Sequence, residues 1–133
     1  MDASAWYPIA LRSHPDHRRL AAALTTRVRG GARIVTTNLV LAEVHALLTT
    51  RADPAAALGF LHNARARPTD VVISTDDLED RAQSDWLARY HDHRFSLADA
   101  VSFAVMTDRG IPEALTLDRH FAIAGFVMVP GRK

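Results

Sequence analysis

Cysteine is absent from this chain, and that absence excludes disulfides, thiolate zinc sites and cysteine nucleophiles. Lysine is nearly absent: fifteen of the sixteen basic residues are arginine, and only Lys133 is lysine. No apolar run approaches the ~18 residues of a membrane span. No charged region followed by an apolar stretch opens the sequence, so no secretory signal is expected. Neither sign of charge dominates. The formal net charge of +1 is too small to imply a nucleic-acid partner by itself. Together these absences fit a cytoplasmic protein.

What is present is ordinary in bulk. Of 133 residues, 48% are apolar and 23% charged, which suits a soluble globular chain with one full core. No linker, repeat or low-complexity segment divides it, so residues 1–133 read as a single domain. The arginines are the compositional signal. A guanidinium suits bidentate contact with phosphate, although an Ala- and Arg-rich composition is also what a GC-rich genome encodes.

Strand-like and helical patterns alternate along the chain. Ala3 to Leu11 is a short apolar helix candidate that stops near His14-Pro15. Asp16 is placed to cap a second helix running to about Val28, and Gly30-Gly31 breaks it. Arg33 to Thr36 reads as a short strand, and Thr37 or Asn38 caps the helix that follows to about Thr50. Asp53 and Pro54 form an N-cap and first-turn pair for a helix to about Ala66. Val71 to Ile73 reads as a short buried strand, and Ser74 or Thr75 starts one amphipathic helix reaching Tyr90. Ser96 opens a helix to Arg109 that Gly110 ends. Ala114–Leu117 and Phe126–Val129 are the last strands. This alternation argues for an α/β domain with a mostly parallel sheet. Such a fold normally begins with a strand, yet Met1-Asp2 leads directly into helix. The first strand is therefore truncated, or it lies upstream of Met1.

Four acids occupy matching places at element ends. Asp99 stands three residues after Ser96 in a capping-box pattern, which explains it structurally as a helix cap. Asp118 follows a strand, where parallel sheets bind ligands, but it also suits the N-cap of a short Arg119–Ile123 turn. Asp2 precedes Ala3-Ser4-Ala5 and suits a cap as well. Glu43 is harder to explain alone: Val40, Glu43, Val44 and Leu47 follow i, i+3, i+4, i+7, which puts Glu43 on the apolar stripe of its helix. A carboxylate there is costly unless an arginine or a metal ion partners it. With Ser4, Thr37, Asn38, Ser96 and Thr116 nearby in sequence, the four acids form an oxygen-rich donor set suited to Mg²⁺ or Mn²⁺.

The segments Asp2-Ala3-Ser4-Ala5, Thr37-Asn38-Leu39-Val40-Leu41-Ala42-Glu43, Ser96-Leu97-Ala98-Asp99-Ala100 and Thr116-Leu117-Asp118-Arg119-His120-Phe121 occur in an order and at separations that resemble the PIN-domain ribonucleases, in particular the VapC-type toxins of bacterial toxin–antitoxin pairs. The resemblance covers nearly the whole chain. It implies a three-layer α/β/α sandwich with a short, mostly parallel sheet. It implies one or two Mg²⁺ or Mn²⁺ ions on Asp2, Glu43, Asp99 and Asp118, and hydrolysis of RNA to a 5′-phosphate and a 3′-hydroxyl. Ser4 matches the small hydroxyl residue after the first acid and Thr116 the one before the last. The truncated first strand departs from the pattern and leaves Asp2 on a short end. The same resemblance implies a cognate VapB-type antitoxin and a homodimer, for which the apolar Trp6, Tyr7, Ile9 and Leu11 are one outlet beside core packing.

Arg94 and Arg119 flank the acidic segments and are the expected RNA contacts, with a salt bridge to the acids as the structural alternative. His91 and His93 lie in a polar loop without further ligands, and His120 is placed either to touch substrate or to pack on a neighbouring loop. A receiver domain also gathers aspartates at a sheet edge, but it needs a lysine near the site. An Asp-x-Asp phosphatase lacks its second acid here, because Ala3 and Ser4 follow Asp2. A PIN-like module that binds RNA or protein without cutting remains the alternative.

Overall fold

A computed structural model describes residues 1–131; Lys133 and its neighbour at 132 lie outside them. The chain runs α1 (Ala3–Ala10), α2 (His17–Arg29), β1 (Ile34–Thr37), α3 (Asn38–Arg51), α4 (Pro54–Ala64), β2 (Thr69–Val72), α5 (Asp76–Arg81), a π-helical segment (Ala82–Ala88), α6 (Leu97–Arg109), β3 (Glu113–Leu115), α7 (His120–Ile123) and β4 (Val127–Val129).

The helix starts follow local chemistry. Thr37 Oγ1 accepts from Val40 N at 3.2 Å, Asp53 Oδ1 from Ala56 N at 2.8 Å and Thr75 Oγ1 from Leu78 N at 3.2 Å. Each satisfies one orphan amide of a first turn. Gly110 ends α6 in the left-handed region at φ 63°, which costs glycine nothing and other residues strain. The helix expected from Ser74 to Tyr90 is not uniform. It widens into the π segment, where Trp86 stacks on Tyr90 at 5.6 Å and meets Phe103 at 5.0 Å.

Period-two alternation builds the layers. In β1, Ile34 packs with α1, α3 and α4, while its neighbour Val35 packs with α5 and α6. Val71 and Val72 of β2 divide in the same way. The parallel pair β1–β2 thus has helices on both faces, as parallel sheets require. A third apolar cluster surrounds Phe103, which is fully buried against Phe95, Phe121 and Phe126. Arg109 at the end of α6 bonds Asp70 of β2 at 2.6 Å, fastening that face at its rim.

Three details differ from the sequence expectation. The second strand is Thr69–Val72 rather than Val71–Ile73, because its register pairs Thr69 with Ile34 and Val72 with Thr37. Ile73 is left 56% exposed beyond it. The third strand ends at Leu115 rather than Leu117, because the Leu117 amide donates to Ser4 Oγ at 2.8 Å. Finally, the sheet is divided. β1 pairs only with β2, and β3 only with β4, both in parallel. Met1 and Asp2 stand between the halves: the Met1 nitrogen donates to Val35 O at 2.9 Å, and the Asp2 amide lies 3.4 Å from Leu115 O. Met1 and Asp2 thus bridge the two half-sheets by backbone hydrogen bonds.

Candidate active site

The carboxyl ends of β1 and β3 and the start of α1 meet at one edge, and the hydroxyl residues stitch it. Ser4 Oγ donates to Asp2 Oδ1 at 2.9 Å and lies 3.1 Å from Thr116 Oγ1. Thr116 Oγ1 accepts from the Asp118 amide at 2.9 Å. Asp2 is only 5% exposed. Burial pushes its carboxyl up to about 6, against the pull of Thr116, the terminal ammonium and Ser4 toward the charged form, and Asp118 pushes it further up.

Asp99 holds two positions at once. It completes the capping box of α6: its amide donates to Ser96 Oγ at 3.0 Å, and its Oδ2 accepts from the Ser96 amide at 3.1 Å. The same Oδ2 lies 3.3 Å from His120 Nδ1. The cap and the cluster are therefore compatible rather than competing explanations.

Asp118 Oδ1 accepts from the His120 amide at 2.9 Å, the turn expected of an N-capping aspartate. That turn folds His120 back, so its Nδ1 is 3.5 Å from Asp118 Oδ1 as well as close to Asp99. Phe95, itself buried, packs edge-on against the imidazole at 5.2 Å. His120 is the functional candidate whose place among the acids the sequence did not reveal.

Glu43 corrects the periodicity argument. The buried face of α3 is Val40, Leu41, Val44 and Leu48, and Glu43 is exposed at its margin instead of facing the core. Both placements satisfy helical spacing, and packing against α1 and α4 chose between them. Among the described residues no arginine pairs with it. Partial desolvation, then Asp99 and Asp118, raise its pKa, so it lies within electrostatic range of both acids. Asp118 thus perturbs Asp2 on one side and Glu43 on the other.

The supporting residues divide. Ser4, Ser96 and Thr116 bond directly to the acids or to their backbone. Thr37 is fully buried as the α3 cap, and Asn38 Oδ1 accepts from Ser74 N at 2.8 Å. Those bonds hold β1 to α3 and the β2–α5 connection; they are structural. Arg94 and Arg119 are exposed, and among the described residues neither forms an ion pair with the acids. His93 stacks on Phe95 at 5.7 Å. Trp6 is core, packed on Phe60 and donating to Thr36 Oγ1 at 3.2 Å.

Asp99, Asp118 and His120 each offer one ligand atom, all within 4.8 Å of one another. Opposite ligands of an octahedral Mg²⁺ lie about 4 Å apart, so a small contraction would close the set. Carboxylate oxygens with one imidazole, and no thiolate, suit a hard or borderline divalent ion.

Residues 1–127 match the PIN domain family. Over 96 residues the chain is 38% identical to the 23S rRNA-specific endonuclease VapC20 of Mycobacterium tuberculosis, an alignment covering 72% of each protein. The crystal structure of M. tuberculosis VapC20, described as a Sarcin-Ricin loop cleaving toxin, superposes with a TM-score of 0.85 at 31% identity. That superposition covers 95% of this chain and 94% of the other.

Proposed function

The chain belongs to the PIN-domain family as a VapC-type ribonuclease, and from that premise we propose that it is a metal-dependent toxin endoribonuclease. The observation that carries the reading is the approach of ligand atoms of Asp99, Asp118 and His120 to within 4.8 Å of one another, and the upward push of Asp118 on the carboxyls of Asp2 and Glu43 supports it. Like charges gathered at one edge repel, and a divalent cation relieves that repulsion.

Asp99, Asp118 and Asp2 would hold Mg²⁺ or Mn²⁺, with His120 at the rim of the set. A bound divalent ion lowers the pKa of its water and screens the phosphate charge. The residues supply the rest. Ser4 holds the Asp2 carboxylate, and Thr116 holds the Asp118 backbone amide. Glu43, exposed and with a raised pKa, orients the attacking water or takes part in a second ion site. The water oxygen bonds to phosphorus and gives up a proton to solvent, the bond to the 3′ oxygen breaks, and that oxygen takes up a proton from solvent. Arg94 and Arg119 bring the anionic backbone to an edge that would otherwise repel it.

The substrate we infer is 23S rRNA at its sarcin-ricin loop, on the strength of the likeness to VapC20. Its regulator is a cognate VapB-type antitoxin, the active unit a homodimer, the compartment the cytoplasm, and residues 1–133 one PIN-like domain. No helix among the described residues is long and apolar enough to cross a membrane.

The test is incubation of purified protein with ribosomes and with a sarcin-ricin oligonucleotide, with Mg²⁺, with Mn²⁺ and with EDTA. Cleavage that needs the ion and vanishes in Asp118→Asn supports the reading. Cleavage that is indifferent to EDTA overturns its metal-dependent part. Binding of RNA without cleavage under any divalent ion favours a non-catalytic PIN module.

A further inference from the structure

The ring contacts of the loop before α6 lead from the acids out to the surface. His120, whose Nδ1 lies 3.3 Å from Asp99 Oδ2, meets Phe95 edge-on at 5.2 Å. His93 lies nearly parallel to Phe95, at 5.7 Å with 16° between the planes. Phe95 is 8% exposed, whereas the His93 side chain is 36% exposed. An accessible imidazole therefore stands one buried ring away from the cluster of Asp99, Asp118 and His120.

His93 is held there by its neighbours. Its amide donates to Tyr90 O at 2.9 Å. The Tyr90 ring meets the imidazole at 6.2 Å and a tilt of 44°, a brace rather than a face-to-face stack. Asp92 Oδ2 lies 3.9 Å from Nε2, beyond hydrogen-bond distance. Arg94, next in the chain, is exposed and forms no ion pair among the described residues. A flat ring already fixed by packing loses little freedom when another ring is laid on it. Unpaired RNA bases stack on rings of this kind, and a neighbouring arginine suits their phosphates.

We propose that His93 is the stacking platform for one unpaired base of the RNA substrate, close to the bond that the acids cut, with Arg94 on the adjoining phosphate. The inference rests on the ribonuclease reading and adds to it how substrate is chosen: by a base turned out of a loop. Bases in RNA loops are free to splay and stack in this way, and bases within a duplex are not. His93 reaches the acids only through Phe95 and His120, so the platform acts on the placement of RNA and not on bond breaking.

The experiment compares the parent, His93→Ala and His93→Phe on a sarcin-ricin oligonucleotide. It repeats the comparison on oligonucleotides made abasic at one position at a time on either side of the cut. His93→Ala should raise KM by about 5-fold or more, the low end of what one stacked base contributes. Its kcat should stay within about twofold, as for an interaction equal in ground and transition states, and its thermal midpoint should not move. His93→Phe, which keeps a flat ring, should restore KM. On one of the abasic RNAs the parent should be impaired and His93→Ala should cost nothing further. An unchanged KM in His93→Ala, or a loss of the same size on every abasic RNA, would overturn the platform while parental cleavage kept the ribonuclease reading intact. A His93→Ala protein that cuts normally but escapes inhibition by its antitoxin would overturn it in favour of a peptide contact. A parent that neither binds nor cuts the RNA would overturn both.

Discussion

Ser4 Oγ lies 3.1 Å from Thr116 Oγ1, although 112 residues separate them in the chain. Through this pair the first turn of α1 is tied to the end of β3, and two acids are fixed together. Ser4 donates to Asp2, and Thr116 receives the Asp118 amide. Removing either hydroxyl leaves buried partners short of a bond, at roughly 1–3 kcal/mol. Ser4→Ala and Thr116→Val should each destabilise the protein by about that much. Because they share one network, the double variant should lose less than the sum, by at least ~0.5 kcal/mol. Urea denaturation of the four proteins in the cycle measures this, and strict additivity would show that the hydroxyls do not act as a unit.

Asp2 makes stability depend on pH in a defined direction. Its carboxyl is pushed up to about 6 by burial, above the ordinary 3.8. The folded state therefore holds the proton more tightly than the unfolded one. The resulting stability is fully present below the unfolded pKa and is lost as pH rises through the folded one, on the order of 3 kcal/mol across the window. Asp2→Asn carries no such charge. Without divalent ions it should equal or exceed the parent in thermal midpoint at pH 7.5, and the gap should shrink toward pH 4. A gap that does not change with pH would remove Asp2 from this role.

Asp99 separates capping from chemistry. Asn retains a side-chain oxygen for the Ser96 amide, so Asp99→Asn should cost less than ~1 kcal/mol of stability. The same change removes one charge from the candidate ion site, and cleavage should fall by about 100-fold or more, since such charge stabilisation is worth several kcal/mol. Chemical denaturation and RNA cleavage are measured on the same preparation. Cleavage at the parental rate would return Asp99 to being a helix cap alone.

The helix starts and the order of elements were legible because their causes are local. Ser96, Thr75, Thr37 and Asp53 cap with their own side chains, and Gly110 stops α6 by its own φ. The orientation of Glu43 was not legible, because helical spacing allows either flank of the stripe to face inward and only packing of α3 on its neighbours decides. The division of the sheet was half legible. The alternation of strands and helices implies parallel pairing, but whether β1 and β3 come to pair depends on where α2 and α6 come to rest. His120 was hidden for a related reason: two residues of separation say nothing until the Asp118 turn sets the direction of the ring.

His120 holds the last two acids at a fixed spacing, and that spacing is testable. Its Nδ1 lies 3.3 Å from Asp99 Oδ2 and 3.5 Å from Asp118 Oδ1, while Phe95 supports the ring edge-on at 5.2 Å. Without the ring, two carboxylates face each other with nothing between them, and the ordered state that receives an ion becomes one of several. Groups that orient ligands in this way are commonly worth about 10–100-fold in metal affinity. His120→Ala should weaken Mn²⁺ binding by about that factor. His120→Gln, which offers a donor at comparable reach, should recover part of the loss. The Asp118 turn uses the His120 backbone amide, so both variants keep it and should fold. Calorimetric titration with Mn²⁺ reads affinity apart from cleavage. Parental affinity in His120→Ala would leave the imidazole as packing for Phe95 and nothing more.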